Sequence, residues 1–151
     1  MVPRVAPYFV FCFLFATSIL IGQTTKKVAE HIVLGECVTH LKIDLPASQV
    51  ELRTTKSSRI LVETSVTLSV SNEHLLDYLA QTGRYNLRPI EDKTNHTLTL
   101  TKNQKLSSGV LIVKGKEVRE DFVYTIYVPS SKIDLMNVEV QDDGVVGYIG
   151  D

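Results

Sequence analysis

The feature that most constrains the fold is an alternation of apolar and polar residues in the middle of the chain. From position 60 to position 70 every second residue is apolar or threonine, while the intervening positions are mostly polar. A period of two is typical of a β-strand that buries one face and exposes the other. The segment therefore predicts a long strand with one wet face, as found in antiparallel sheets.

Shorter segments with the same period predict further strands. They are residues 41–45, 50–53, 84–87, 97–102, 110–113, 121–128 and 133–140. Segment 121–128 is apolar on both faces, which indicates a central strand, and Gly115 marks the turn that precedes it. The predicted fold class is mainly β, either an antiparallel two-sheet sandwich or the start of a short β-solenoid.

One segment departs from this period and predicts a helix. Residues 72–81 read NEHLLDYLAQ, with Ser71 as the predicted N-cap and Gly83 after the last turn. A helix of two to three turns is not stable alone, so its leucine face is expected to dock on the sheet. We interpret it as a packing element rather than a recognition helix.

A weak internal repeat relates two parts of the chain. Residues 43–52 (IDLPASQVEL) align without gaps to residues 126–135 (IYVPSSKIDL), and four of the ten positions are identical. Each copy reads as a strand, a turn that begins with proline, and a second strand. The repeat predicts two equivalent strand–turn–strand units that face each other, the alternative being chance similarity between two ordinary corners.

The first 22 residues are predicted to be a cleaved signal peptide. Arg4 precedes an uncharged, mostly apolar run of fourteen residues at 8–21, which is shorter than the roughly 20 residues of a membrane-spanning helix. Cleavage after Gly22 would leave one β-rich domain, 23–151, in the periplasm, outer envelope or medium, with membrane contact only through the signal. The alternative is an N-terminal core helix.

Cleavage would leave Cys37 as the single cysteine. One thiol cannot form an internal disulfide, so the domain is not a disulfide scaffold. We expect Cys37 to be buried or half-buried and structural.

No motif indicates catalysis or a cofactor. The chain has no G-x-S-x-G, G-x-x-x-x-G-K, H-E-x-x-H or C-x-x-C, and its four histidines are dispersed without metal-ligand spacing. We therefore predict no catalytic residue, no cofactor and no metal site. A net charge of −1 argues against nucleic acid as a partner.

Two polar features stay open at this stage. Residues 84–88 (RYNLR) could bind an anion, but two exposed arginines on a strand are usually solvated. A hydrolase could use the carboxylates of Asp44, Glu51 and Asp134, because folding rather than spacing decides whether they meet.

The segment at 145–151 predicts a strand that offers an open edge. It follows a turn signal at 142–144 and contains the apolar residues Val145, Val146, Tyr148 and Ile149. An unpaired strand edge is a template for pairing with another chain. These four residues are the candidate partner edge, for an envelope protein or for self-association, unless the protein's own sheet covers them.

Four features of the chain together resemble those of a known family. They are the signal segment, the corner at 43–52, the helix that ends in Thr82-Gly83-Arg84-Tyr85 and the strand that ends in Tyr127-Val128-Pro129. The chain resembles uncharacterised secreted proteins of Gram-negative bacteria related to the auto-transporter adhesin head, or adhesin-like, β-solenoid domains. The resemblance covers roughly residues 28–151. It implies stacked strand rungs, an envelope or extracellular location and a role in adhesion, and it implies no catalytic residues.

The expected function is therefore a secreted, non-catalytic β domain with a structural or adhesin-like interaction role in the bacterial cell envelope. Two alternatives remain. One is a small-ligand-binding β-barrel whose mouth the helix closes, and the other is the carboxylate-dependent hydrolase.

Overall fold

A computed structural model describes residues 22–107, 109–142 and 145–148 of the protein. The predicted signal peptide, apart from Gly22, lies outside the described residues. Within the described ranges, no helix has the length and apolar character needed to cross a membrane.

Strands make up most of the described chain, so the prediction of a mainly β protein is confirmed. The strands are β1 (Thr24–Ile32), β2 (His40–Asp44), β3 (Val50–Thr55), β4 (Ile60–Leu68), β5 (Leu87–Asp92), β6 (Thr97–Lys102), β7 (Leu111–Val113), β8 (Lys116–Val118), β9 (Glu120–Pro129), β10 (Asn137–Asp142) and β11 (Val145–Tyr148). The longest helix among the described residues is α1 (Glu73–Gln81). The other helical elements are two single turns, α2 (Gln104–Ser107) and α3 (Ser130–Ile133), and a 3₁₀ turn, Ala47–Gln49.

The strands form two larger sheets and one small hairpin. The first sheet has the order β1-β4-β9-β3, the second has the order β11-β10-β2-β6-β5, and β7 pairs with β8. The prediction of antiparallel sheets is wrong for three pairs, since β3–β9, β2–β10 and β2–β6 are parallel. The positions of the two proline corners account for the first two of these pairs.

The two copies of the repeat form equivalent corners, which confirms that prediction. Pro46 has φ −56° and ψ 121°, and Pro129 has φ −56° and ψ 122°, each directly before a short helical turn. The first corner carries the chain from β2 in the second sheet to β3 in the first, and the second corner carries it back from β9 to β10. Parallel neighbours in both sheets are the result.

The corners lie at opposite ends of the sheets. β3 begins at the first corner, and its last residue, Thr55, is paired with Pro129 of the second corner. A solenoid stacks equivalent corners on one another, which this arrangement does not do. No solenoid is detected in the part of the chain that the structure describes, so the prediction of a solenoid start is not confirmed.

The core contains inward-facing residues of both larger sheets. On β4 the alternate residues from Ile60 to Leu68 are buried, as the period-two pattern predicts. A single buried cluster joins Val62 and Ile126 of the first sheet to Leu41, Ile43 and other residues of the second. β9 lies between β4 and β3, so the prediction of a central strand at 121–128 is confirmed.

Helix α1 is confirmed as a docked packing element, but its N-cap is Asn72 and not Ser71. The Asn72 side chain accepts a hydrogen bond of 3.0 Å from the backbone N–H of Leu75. Leu76 and Leu79 are buried in a second apolar cluster, which also contains Val66, Leu68, Tyr85 and Val118. The helix contacts β1, the edge strand of the first sheet.

Replacing Asn72 with alanine is expected to lower the free energy of unfolding by about 1 kcal/mol, because the first turn of α1 loses its side-chain acceptor. Chemical denaturation of the two proteins measures this difference. Ser71→Ala is the matched control and should change stability by less than about 0.5 kcal/mol. An equal loss in both variants would contradict the assignment of the cap.

Two predicted strands begin later than expected, and two strands, β1 and β8, were not predicted. Gly115 lies in the turn that joins β7 to β8 and does not lead directly into β9. Residues 84–85 belong to a turn after Gly83, whose φ of +74° suits glycine, and β5 begins at Leu87. Segment 133–140 starts in the helical turn of the second corner, so β10 begins only at Asn137. β1 was missed because its inward positions include Lys26 and Glu30, which obscure the apolar period.

Candidate functional site

The candidate partner edge is an edge in the structure. β11 pairs with β10 in antiparallel fashion and stands at the end of the second sheet. Among the described residues no further strand pairs with its outer side. Val145, Val146 and Tyr148 belong to β11, whereas Ile149 lies outside the described residues.

The three other edges of the two larger sheets carry features that discourage strand addition. β5 contains Pro89, which has no N–H to donate, next to three charged residues. β1 carries Lys26, Lys27 and Glu30, and an ion pair between Lys26 and Asp77 joins it to α1. β3 carries an exposed Glu51–Arg53 pair with an N–O distance of 2.7 Å. The VVGY sequence of β11 contains neither charge nor proline.

A second site candidate is a polar cluster at the open end of the space between the larger sheets. Glu30, Lys102 and Glu120 each occupy a strand position that alternation directs inward, toward the core. Charged groups seldom occupy such positions without a partner, because removing them from water is costly. The loop after α1 adds two further members. We call Glu30, Arg84, Tyr85, Lys102 and Glu120 the intersheet cluster.

The central interaction of this cluster is a nearly buried ion pair. Arg84 donates from Nε and Nη2 to the two carboxylate oxygens of Glu120, at 3.0 and 2.7 Å, and both side chains are only about one-tenth exposed. The Tyr85 hydroxyl donates to the same carboxylate at 3.0 Å. These hydrogen bonds to Glu120 raise the pKa of Arg84, whereas burial first and Glu120 second raise the pKa of Tyr85.

Lys102 lies beside this pair and faces two aromatic rings. Its ammonium nitrogen is 4.9 Å from the centre of the Phe122 ring and 5.8 Å from that of Tyr124, within the range of cation–π attraction. Among the described residues, no hydrogen-bond acceptor or carboxylate contacts this ammonium group directly. Burial lowers the pKa of Lys102, and the nearby charge of Glu120 partly offsets that effect.

Glu30 is the member of the intersheet cluster that lies on β1. Its carboxylate accepts a hydrogen bond of 2.7 Å from the backbone N–H of Leu87 at the start of β5. Burial raises the pKa of Glu30, and this hydrogen bond acts in the opposite direction. The carboxylate therefore links the first sheet to the second.

Segment 84–88 differs from its sequence interpretation. Arg84 is not an exposed strand arginine, since it lies in a turn and is nearly buried against Glu120. Arg88 is exposed on β5, as expected.

The carboxylates proposed for a hydrolase are not brought together as a set of three. Asp44 ends β2 and accepts a hydrogen bond from Thr101, while Glu51 pairs with Arg53 on β3. Asp134 precedes β10, whose first residue pairs with the opposite end of β2. Asp44 and Asp134 are thus separated by about 13 Å or more along the strand direction.

Two further expectations need correction. Cys37 is exposed, because it lies in the turn between β1 and β2 while the neighbouring Val38 takes the buried position.

The larger sheets do not close into a barrel in the described ranges, and residues such as Leu41 and Ile126 fill the space between them. A depression of about 640 Å³ lies instead on the outer, polar face of the second sheet, beside His40 and Asn137.

The intersheet cluster was missed from the sequence, although a signal for it exists. In TLTLTK the alternation that buries Leu98 and Leu100 directs Lys102 to the same face. In the same way, the alternation that buries Tyr124 and Ile126 directs Glu120 inward. No family model, curated protein or solved structure matches the chain.

Proposed function

We propose that the protein is a secreted, non-catalytic interaction domain of the bacterial cell envelope, with an adhesin-like or structural role, built as a two-sheet sandwich. It binds its partner by strand addition at β11. A strand of the other chain pairs with the outer side of β11 and extends the second sheet.

The observation that carries this proposal is the difference between β11 and the other three edges. Charged residues accompany β1, β3 and β5, and β5 also contains a proline; such features are the usual means of preventing strand addition. β11 has none of them in its VVGY sequence. An edge left open while the others are blocked is the arrangement expected of a pairing site.

Lysines on β11 are expected to weaken partner binding. The variant is Val146→Lys/Tyr148→Lys. Position 146 is paired with Gln141 and position 148 with Glu139. The lysine at position 148 is therefore in register with a glutamate, which should help to retain the β10–β11 hairpin. The protein carries an internal tag near Thr94, in the exposed β5–β6 turn. Cross-linked recovery from envelope fractions and sedimentation velocity measure binding to other proteins and to a second copy. We expect either to fall about ten-fold.

Ile90→Lys provides the control, because it adds a lysine to the opposite edge of the same sheet at a position that is 44% exposed. This variant should keep the partner and the oligomeric state of the unmodified protein. Unchanged recovery and unchanged sedimentation in the double β11 variant would refute strand addition at this edge.

A further inference from the structure

We infer that the intersheet cluster forms a binding pocket for a small oxyanion, a carboxylate or phosphate group, with the Lys102 ammonium as its anchor. This pocket is separate from the β11 edge, which belongs to the other end of the second sheet's strand order. The inference rests on a cavity, a cation and the donors around them.

The cavity has the size of a small anionic group. Its volume is about 80 Å³, and Arg84, Asn86, Lys102, Asn103, Glu120 and Phe122 are among its lining residues. Water occupies roughly 30 Å³ per molecule in the liquid, so the cavity holds the equivalent of between two and three waters. That space suits a carboxylate or phosphate group and is too small for a drug-sized ligand, which needs about 300 Å³ or more.

The charges of the lining favour an anion. Arg84 and Glu120 neutralise each other through their two hydrogen bonds, and Glu30, the other carboxylate of the intersheet cluster, is not among the lining residues. The Lys102 ammonium is therefore the remaining charge of the lining. An ammonium group has three N–H donors, and none of them has an acceptor among the described residues. The rings of Phe122 and Tyr124 lie within cation–π distance of the ammonium group and line the same cavity.

The ammonium is also placed where an anion is held more strongly than at the surface. Burial lowers the pKa of Lys102, so the group has already lost part of its hydration. A partly desolvated cation attracts an anion more strongly, since water screens the pair less. Asn86 lines the same cavity, and its side-chain amide is a group of the kind that hydrogen-bonds oxyanions.

Titration of the whole protein with inorganic phosphate and, separately, with acetate tests the inference. The readout is the NMR shift of the ring protons of Phe122 and Tyr124. We expect a saturable shift with at least one anion, and Lys102→Met is expected to weaken that binding about ten-fold or more. Methionine is flexible and packs well against aromatic rings, so this variant should keep the fold. The preferred anion identifies phosphate or carboxylate as the ligand chemistry.

Two further variants make the result specific. Lys27→Met removes an exposed, outward-facing lysine of β1 and should leave the affinity within about two-fold. Asn86→Asp retains Lys102 and adds a negative charge to the lining, so it should also weaken binding. No saturable shift with either anion, or equal affinities in the Lys102→Met and Lys27→Met variants, would overturn the inference. Loss of the β11 interaction would leave this result unaffected.

Discussion

Replacing Ile126 with alanine is expected to lower the free energy of unfolding by about 4 kcal/mol. Ile126 is fully buried at the middle of β9, the strand that pairs with both β4 and β3. The substitution removes apolar contacts and leaves a cavity in the cluster that joins the two sheets. Urea denaturation at constant pH gives the difference.

Val123→Ala is the matched control on the same strand. Val123 is 53% exposed on the outer face, so its truncation should change the free energy of unfolding by less than about 0.5 kcal/mol. If both variants lost the same stability, the assignment of the inner and outer faces of β9 would be wrong.

Replacing Glu120 with alanine is expected to cost about 3 kcal/mol of unfolding free energy, because it leaves the Arg84 guanidinium nearly buried without its carboxylate. The same change removes the acceptor of the Tyr85 hydroxyl. Stability curves of the single variants and of the Arg84→Met/Glu120→Ala double variant measure the coupling. The double variant should be more stable than Glu120→Ala alone, since it no longer contains the Arg84 guanidinium that the single change leaves without its carboxylate.

Glu51→Ala is the comparison for an exposed pair. Its carboxylate also binds an arginine through two nitrogens, but both side chains are more than half exposed. Solvent screening makes such a pair contribute little to stability, so the loss should be far smaller than that of Glu120→Ala. A loss as large as that of Glu120→Ala would show that burial does not set the difference between the two pairs.

The sequence predicted those parts of the fold in which local pattern and burial agree. β4 alternates cleanly between apolar and polar residues, and the β9 face that points into the core is apolar from Phe122 to Val128. The two proline corners were visible as a repeat because each needs the same residues to leave one sheet and enter the other. Strand direction was not predictable, since no local residue records which sheet a corner leads to.

The candidate sites also contain features that the local sequence predicts and features that depend on how the strands are arranged. The β11 edge was predicted from its apolar residues, whereas its contrast with the other edges required the strand order. The intersheet cluster depends on Arg84 meeting Glu120, 36 positions away, and on Lys102 meeting rings of the facing sheet. A lysine at the end of an alternating strand reads as exposed until a second sheet covers it.

The two opposed corners also set the order in which the protein is able to assemble. β2 and β3 obtain their parallel neighbours β10 and β9 only from residues more than 70 positions further along the chain. Such distant pairings raise the relative contact order and are associated with folding times of roughly milliseconds to seconds. During synthesis β2 and β3 emerge before β9 and β10, so one edge of each stays unpaired until the second corner has been synthesised. A chaperone that holds those edges until residues up to 142 have emerged would therefore increase the yield of folded protein.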